Sequence, residues 1–236
     1  MKRPPNLDEV LNRANAIAAR YVRARVEGGV HFSSGASKAR WTKLGLRLQR
    51  WATKAPALTA KERKLHELAL GGWPEREVVH GEWSLEALGL LLWVLRWRPL
   101  RPWHSPYGPD VLPWVDIPSW YNESGPITAG RPAPRLRSLE ERAEMEDRAE
   151  AWHWRAVTAQ RPLDPRTKRI VADAAAEAER RGWLSVCSGD FPYRGKPYVA
   201  LGADARSSAW SIAVERHRAA AWSTGGGSWE RVRIDT

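Results

Sequence analysis

The chain has 236 residues, 43% hydrophobic and 28% charged, with a formal net charge of +11. That is enough apolar material for one large domain, and the single cysteine, Cys187, excludes an intramolecular disulfide and any Cys-rich zinc site. The opening MKRPPNLDEV carries charge with no apolar run behind it, and no segment approaches the ~20 apolar residues a bilayer requires, so a soluble, cytoplasmic chain without membrane contact is expected.

The basic excess is local. Residues 1–58 hold 12 Lys and Arg against 3 Asp and Glu, while the remainder holds 26 against 24. Fifteen Trp against two Phe point to a core that uses indoles as its large packing units.

The first helix is predicted from Leu7 to Val26. Asn6 is its N-cap, and Asp8 and Glu9 suit the positive end of the helix dipole. Val10, Ala14, Ile17, Ala18 and Tyr21 form its apolar stripe, with Arg13, Arg20 and Arg23 elsewhere on the cylinder. Gly28-Gly29 reads as its stop.

A second helix follows, from about Lys38 to Lys54. Arg40, Lys43, Arg47, Arg50 and Lys54 step by three or four residues, which sets five cations on one narrow face. Trp41, Leu44, Leu48 and Trp51 turn away from it. No carboxylate interrupts the stripe. It reads either as a solvated face or as an anion-binding surface for an acidic protein or a nucleic acid.

Thr59 and Glu62 form a capping box that opens a short helix, stopped by Gly71-Gly72. Trp73-Pro74 reads as the start of a polar connection. Next comes Ser84 to Trp97, SLEALGLLLWVLRW, in which Ala87 to Leu95 contains no polar side chain. A helix apolar on every side belongs in an interior, and this one is too short to span a membrane. Ser84 is its expected N-cap. Glu86 is a carboxylate on a dry helix, so it needs a partner or a raised pKa.

Nine prolines fall between Pro99 and Pro134, a density that excludes a helix or an inner strand. Trp103, Tyr107, Trp114, Trp120 and Tyr121 lie among them. Disordered linkers are poor in such rings, so an ordered loop wrapped on the core is expected. Ser138 and Glu141 make another capping box, opening a helix to about Gln160 with Met145, Ala149, Trp152 and Ala156 inward. His153 stands at the edge of that face, with Glu146 and Glu150 at helical spacing. A further helix, Pro165 to Arg181, has Asp164 as N-cap and Gly182 as its stop. Residues 183–201 alternate Gly, Pro and aromatics, as a short hairpin or extended loop does. The last helix is predicted from Ser208 to Trp222, followed by Gly225 to Gly227. The fold class is therefore mainly α: a single helical domain around a central buried helix.

On the last helix, Ala209, Ile212, Ala213, Ala219 and Ala220 define the apolar side. Arg216 and His217 project within or beside it. Buried guanidinium and imidazole groups need acceptors, and Glu86 is the expected one for either. Three uses of this cluster stand open. It is a buried ion pair that fixes helix register, an acid/base site of Glu86, Asp190, Lys196 and His217, or a His/Glu/Asp metal site. The P-loop, dinucleotide, zincin and nucleophile-elbow motifs are absent, and neither a metal nor a cofactor is expected.

The C-terminal residues carry a resemblance. Gly189-Asp190-Phe191-Pro192, Gly195-Lys196-Pro197-Tyr198, Ser211-Ile212-Ala213, Glu215-Arg216-His217-Arg218-Ala219, Trp222, Trp229 and Asp235-Thr236 occur in this order. The series resembles the signature of the bacterial family called domain of unknown function 4272. Trp83, Glu86, Leu88 and Leu92-Trp93-Val94-Leu95 resemble that family's other block, and the helices around Arg13-Ala14 and from Arg142 to Trp154 match more loosely. The likeness is dense over residues 189–236. It implies a mainly helical cytoplasmic domain and brings no established activity. The chain has Ala221-Trp222-Ser223-Thr224-Gly225 where relatives have Asn-Trp-Leu-Cys-Gly, and Trp229-Glu230 where they have Trp-Asp.

The leading expectation is a non-enzymatic binding protein, immunity-like or accessory, that recognises an acidic protein surface. The second is non-specific nucleic-acid binding through the 40–54 stripe. The third is an enzyme built on Glu86, Asp190, Lys196 and His217.

Overall fold

The computed structural model describes residues 3–55, 57–116 and 131–234. Its α-helices are α1 (Leu7–Phe32), α2 (Gly35–Ala52), α3 (Ala60–Glu67), α4 (Glu75–Val94), α5 (Leu139–Thr158), α6 (Pro165–Arg180) and α7 (Ala203–Gly225). A hairpin pairs β1 (Pro192–Tyr193) antiparallel with β2 (Lys196–Pro197), the one sheet among the described residues. The chain is thus mainly α with one very short hairpin, the class its periodicities predict.

The central helix is the axis of the packing. Ala87, Leu88, Leu90, Leu91, Leu92 and Val94 expose nothing to solvent. Each buried Leu contributes about 1.5–3 kcal/mol by leaving water. α4 packs against α1 and α7, and α7 packs in turn against α5. One continuous apolar cluster draws on all four helices.

α4 begins at Glu75, nine residues before the expected Ser84, and residues 75–83 are helix rather than connection. Glu77 explains the misreading. Its carboxylate is nearly buried, which a polar sequence conceals, because Lys61 Nζ at 2.8 Å and Arg20 Nη2 at 3.3 Å compensate its charge. Ser84 is therefore interior, its hydroxyl donating to the Gly81 carbonyl. The helix ends at Val94, short of the expected Trp97. Arg96 takes a left-handed φ of 59°, with Arg96 N–H on the Trp93 carbonyl and Trp97 N–H on that of Leu92. That is the Schellman ending. Arg137 then satisfies the same helix end, donating through its backbone to Val94 and through Nε to Trp93.

α1 runs through Gly28-Gly29 to Phe32, so this pair does not stop it. Gly29 is a contact point: a Cβ there would collide with the indole of Trp41 on α2. Arg13 and Arg23 are likewise not on the outside of the cylinder. They are 2% and 0% exposed. Arg13 forks onto Glu62 at the start of α3 and lies 4.5 Å over the Trp229 ring. Arg23 donates to Glu27, whose other carboxylate oxygen accepts from Gly71 N–H. α1 is thereby tied to α3 and to the turn beyond it.

The capping boxes at Asn6/Glu9, Thr59/Glu62 and Ser138/Glu141 all form. Asp164 caps α6, and Gly182 follows it at φ 69°. α7 extends past the predicted Ser208 to Trp222 at both ends, and Gly226 terminates it at φ 63°. The Pro-rich loop is ordered where it is described. Trp103 and Tyr107 are buried and Trp114 is half-buried, while Trp120 and Tyr121 lie outside the described residues. Contrary to expectation it holds a short 3-10 helix, Pro109–Trp114, with Pro109 at a position where no amide is needed.

Gly89 of α4 faces the Tyr107 ring, where a Cβ would collide, whereas at Gly28 of α1 the nearest atom to a Cβ would lie 3.6 Å away. Gly89→Ala should therefore cost about 1–3 kcal/mol through overpacking, despite its better helix propensity. Gly28→Ala should be neutral or stabilising by up to about 1 kcal/mol. Urea unfolding of the two variants checks the contrast.

Candidate functional site

Two kinds of polar structure stand out: a cationic face on α2, and charged groups locked inside the helical body. All five stripe residues, Arg40, Lys43, Arg47, Arg50 and Lys54, are exposed. None has an ion pair or hydrogen bond from its side chain among the described residues. No Asp or Glu occurs anywhere between Glu27 and Glu62, so no local carboxylate can neutralise them. The opposite side of α2 explains why the helix holds this orientation. Leu48 and Ala52 are fully buried, and Gly45 sits where a Cβ would come 2.6 Å from Leu70 and Val26. Trp41, Leu44 and Trp51 pack half-buried against the core. α2 runs Gly35–Ala52 rather than Lys38 to Lys54, so Arg40 to Arg50 extend over about 15 Å of helix and Lys54 follows in the turn beyond it.

Inside the body, Glu86 meets Arg216. Arg216 Nε lies 3.0 Å and Nη2 2.9 Å from Glu86 Oε2. The rest of the guanidinium donates to backbone carbonyls of the Pro-rich loop, those of Arg101, Pro102 and Ser105, at 2.9 to 3.1 Å. Glu86 Oε1 accepts from Tyr107 N–H at 2.7 Å. The rings of Trp103 and Tyr107 lie 5.2 and 5.0 Å from the Arg216 guanidinium carbon. Burial pushes the Glu86 pKa above the carboxylate range, against the pull of Arg216 and the Tyr107 amide.

His217 is not on Glu86. Its Nδ1 lies 3.0 Å from His153 Nδ1, so one ring donates and the other accepts, and at least one is neutral. Burial drives His217 down to about 4, with His153 beside it adding to the fall; burial lowers His153 as well. His153 thus faces another imidazole rather than Glu146 or Glu150. His66, buried against Trp73 and near Arg23, is also lowered to about 4 by its burial.

Asp190 belongs to a third group. Arg155 of α5 grips it through Nε at 2.6 Å and Nη2 at 2.7 Å. The N–H groups of Phe191 and Val199 donate to the same carboxylate at 2.7 and 2.8 Å. Lys196 is exposed at the hairpin and lines an open cavity with Trp83 and Tyr193 that contains none of the other three candidates. The structure therefore joins Glu86 to Arg216 and does not gather Glu86, Asp190, Lys196 and His217 into one acid/base cluster. Among the described residues no three His, Cys, Asp or Glu side chains stand together as metal ligands.

Sequence reasoning missed Arg155, Arg13 and Arg23 as interior charges. The signal was their register. Arg155 lies three residues after Trp152, and Arg13 lies three after Val10 and four before Ile17, inside the apolar stripes.

Removing one partner of a buried pair strands the other. Arg216→Met should destabilise by about 3–5 kcal/mol. Glu86→Gln keeps an acceptor for Tyr107 N–H and should cost less, about 1–3 kcal/mol. Losses below about 1 kcal/mol for both in urea unfolding would contradict the knot described above. The histidines set a pH window. The unfolded chain takes up protons below about pH 6.5, while folded His217 and His66 resist until about pH 4. The melting temperature should therefore fall as pH drops through that interval, and less steeply in His217→Gln.

Compared with protein-family models, with curated proteins and with solved structures, the chain matches none.

Proposed function

We propose that this is a non-enzymatic binding protein whose docking surface is the cationic face of α2 and whose partner is an acidic protein surface. The observation that carries this reading is the set of five exposed, unneutralised cations, four on one face of α2 and Lys54 in the turn after it, on a helix whose other side is fixed in the core. Holding like charges together without carboxylates between them disfavours the isolated molecule, and an anionic partner relieves that repulsion.

The composition of the face favours a protein over a nucleic acid. Leu46 is 56% exposed between Lys43 and Arg50, its neighbours at helical spacing. Apolar side chains set among cations give a protein interface its desolvated centre. The rings that would stack on bases, Trp41 and Trp51, turn toward the core instead. The buried charges supply rigidity rather than chemistry in this reading, since Glu86, Asp190 and His217 are each held by an internal partner. An immunity-like or accessory role fits such a binding domain. The resemblance to the domain of unknown function 4272 family brings no activity that competes with it.

Poly-glutamate and a 20-base-pair duplex DNA are the probes, measured at 150 mM salt. Lys43→Glu, Arg47→Glu and Arg50→Glu together should weaken poly-glutamate binding at least about tenfold. The same charge change on α6, Arg166→Glu, Lys168→Glu and Arg169→Glu, should alter it less than about threefold. Equal losses from both triple variants would leave only net charge and refute the assignment to α2. DNA bound more tightly than poly-glutamate, with a log–log salt slope near −4 to −5 for five phosphate contacts, would favour nucleic acid instead.

A further inference from the structure

A second group of arginines lies away from α2 and is built differently. Arg155 is 0% exposed, and its Nε and Nη2 are spent on Asp190, which leaves Nη1 buried without an acceptor. A buried guanidinium nitrogen with nothing to donate to carries a full desolvation penalty. The hydroxyl of Tyr198, whose ring lies 4.7 Å from the Arg155 guanidinium carbon, is also buried and unpartnered. Arg155 lines a cavity of about 270 Å3 together with Arg161, Arg206, Gln160 and Val199. Arg161 is exposed and Arg206 half-buried, and neither has a carboxylate partner among the described residues. A wider cavity of about 770 Å3 shares Gln160, Arg161 and Arg206 and is bordered by Trp210 and Val157, both more than a third exposed. No acidic residue lines either cavity. Ala203, the first residue of α7, also borders the wider one, and its N-cap, Gly202, has no side chain to occupy the helix amides.

We infer that these two cavities form one binding site for a phosphate-bearing small molecule, distinct from the docking face on α2. Arg161 and Arg206, which have no carboxylate partner among the described residues, together with the unspent Nη1 of Arg155 favour an oxyanion, and guanidinium donors fit phosphate oxygens in pairs. The positive end of α7 borders the same side, offset in part by Asp204 in its first turn. The narrow cavity takes the phosphoryl group, and the wider one takes an apolar or aromatic body against Trp210 and Val157. Asp190 is a positioning residue here: it holds two arms of Arg155 and leaves the third, buried at the cavity wall, without an acceptor. The site makes no call on the α2 stripe, so the two readings stand or fall separately.

Inorganic phosphate and phenyl phosphate are the probes, with calorimetric titration of the full chain. Saturable binding of both is expected, phenyl phosphate about tenfold tighter. Arg206→Gln and Arg161→Gln alter side chains outside the core. Each should weaken both probes about tenfold without moving the melting temperature. Trp210→Ala should weaken phenyl phosphate alone. Arg47→Gln on α2 should change neither. Failure of both probes to saturate by ~10 mM, a Kd that Arg206→Gln leaves unchanged, or a loss caused equally by Arg47→Gln would each overturn the site.

Discussion

Arg216 is the group on which the architecture converges. It sits on α7, its charge is met by Glu86 on α4, and its remaining donors end on three carbonyls of the Pro-rich loop. One side chain therefore sets the relation of two core helices and a segment that has little regular structure of its own. A lysine could not do this. It offers one compact ammonium, whereas the planar guanidinium spreads five donors in fixed directions. The Pro-rich loop has no strand to join here, so the guanidinium supplies donors that a sheet ladder would otherwise give its carbonyls. Trp103 and Tyr107 close over the guanidinium and keep water out. In that dry setting a satisfied pair discriminates strongly between the native register and any slip of α7 along α4.

Much of this was legible in the sequence, and what was not has a common cause. The apolar run from Ala87 to Leu95 marks burial whatever surrounds it, and the capping boxes announce their helices because they are local chemistry. The link from Glu86 to Arg216 was also readable: each is a charge in apolar surroundings, and each needs the other. Choosing between Arg216 and His217 was not, because the competing partner of His217 is His153, 64 residues away. The glycines at 28 and 29 were misread because a glycine can end a helix or admit a neighbour. Only the position of Trp41 decides which. The start of α4 was hidden by Glu77, whose compensating cations come from α1 and from the start of α3.

The distribution of charge gives the molecule its functional character. Within the body four guanidinia meet carboxylates, Arg13 with Glu62, Arg23 with Glu27, Arg155 with Asp190 and Arg216 with Glu86, while Arg142 ends on backbone carbonyls. Such matching costs desolvation and returns geometry, so these pairs serve as fasteners. The cations of α2 have no such counterparts. With no Asp or Glu between Glu27 and Glu62 to offset them, they give that face a local positive field. The same contrast of matched and unmatched donors distinguishes the cavities beside Arg155 from the fastened core next to them.

Native-state hydrogen exchange tests the central claim most directly. If α4 is the sealed axis and Arg216 clasps it to α7, the amides of Leu88 to Leu95 and of Ile212 to Ala221 exchange only through global unfolding. Those on the outer face of α2 then open at lower free energy. If the Leu88 to Leu95 amides exchange as fast as those of α2, or respond to denaturant separately from α7, the clasped core described here does not exist.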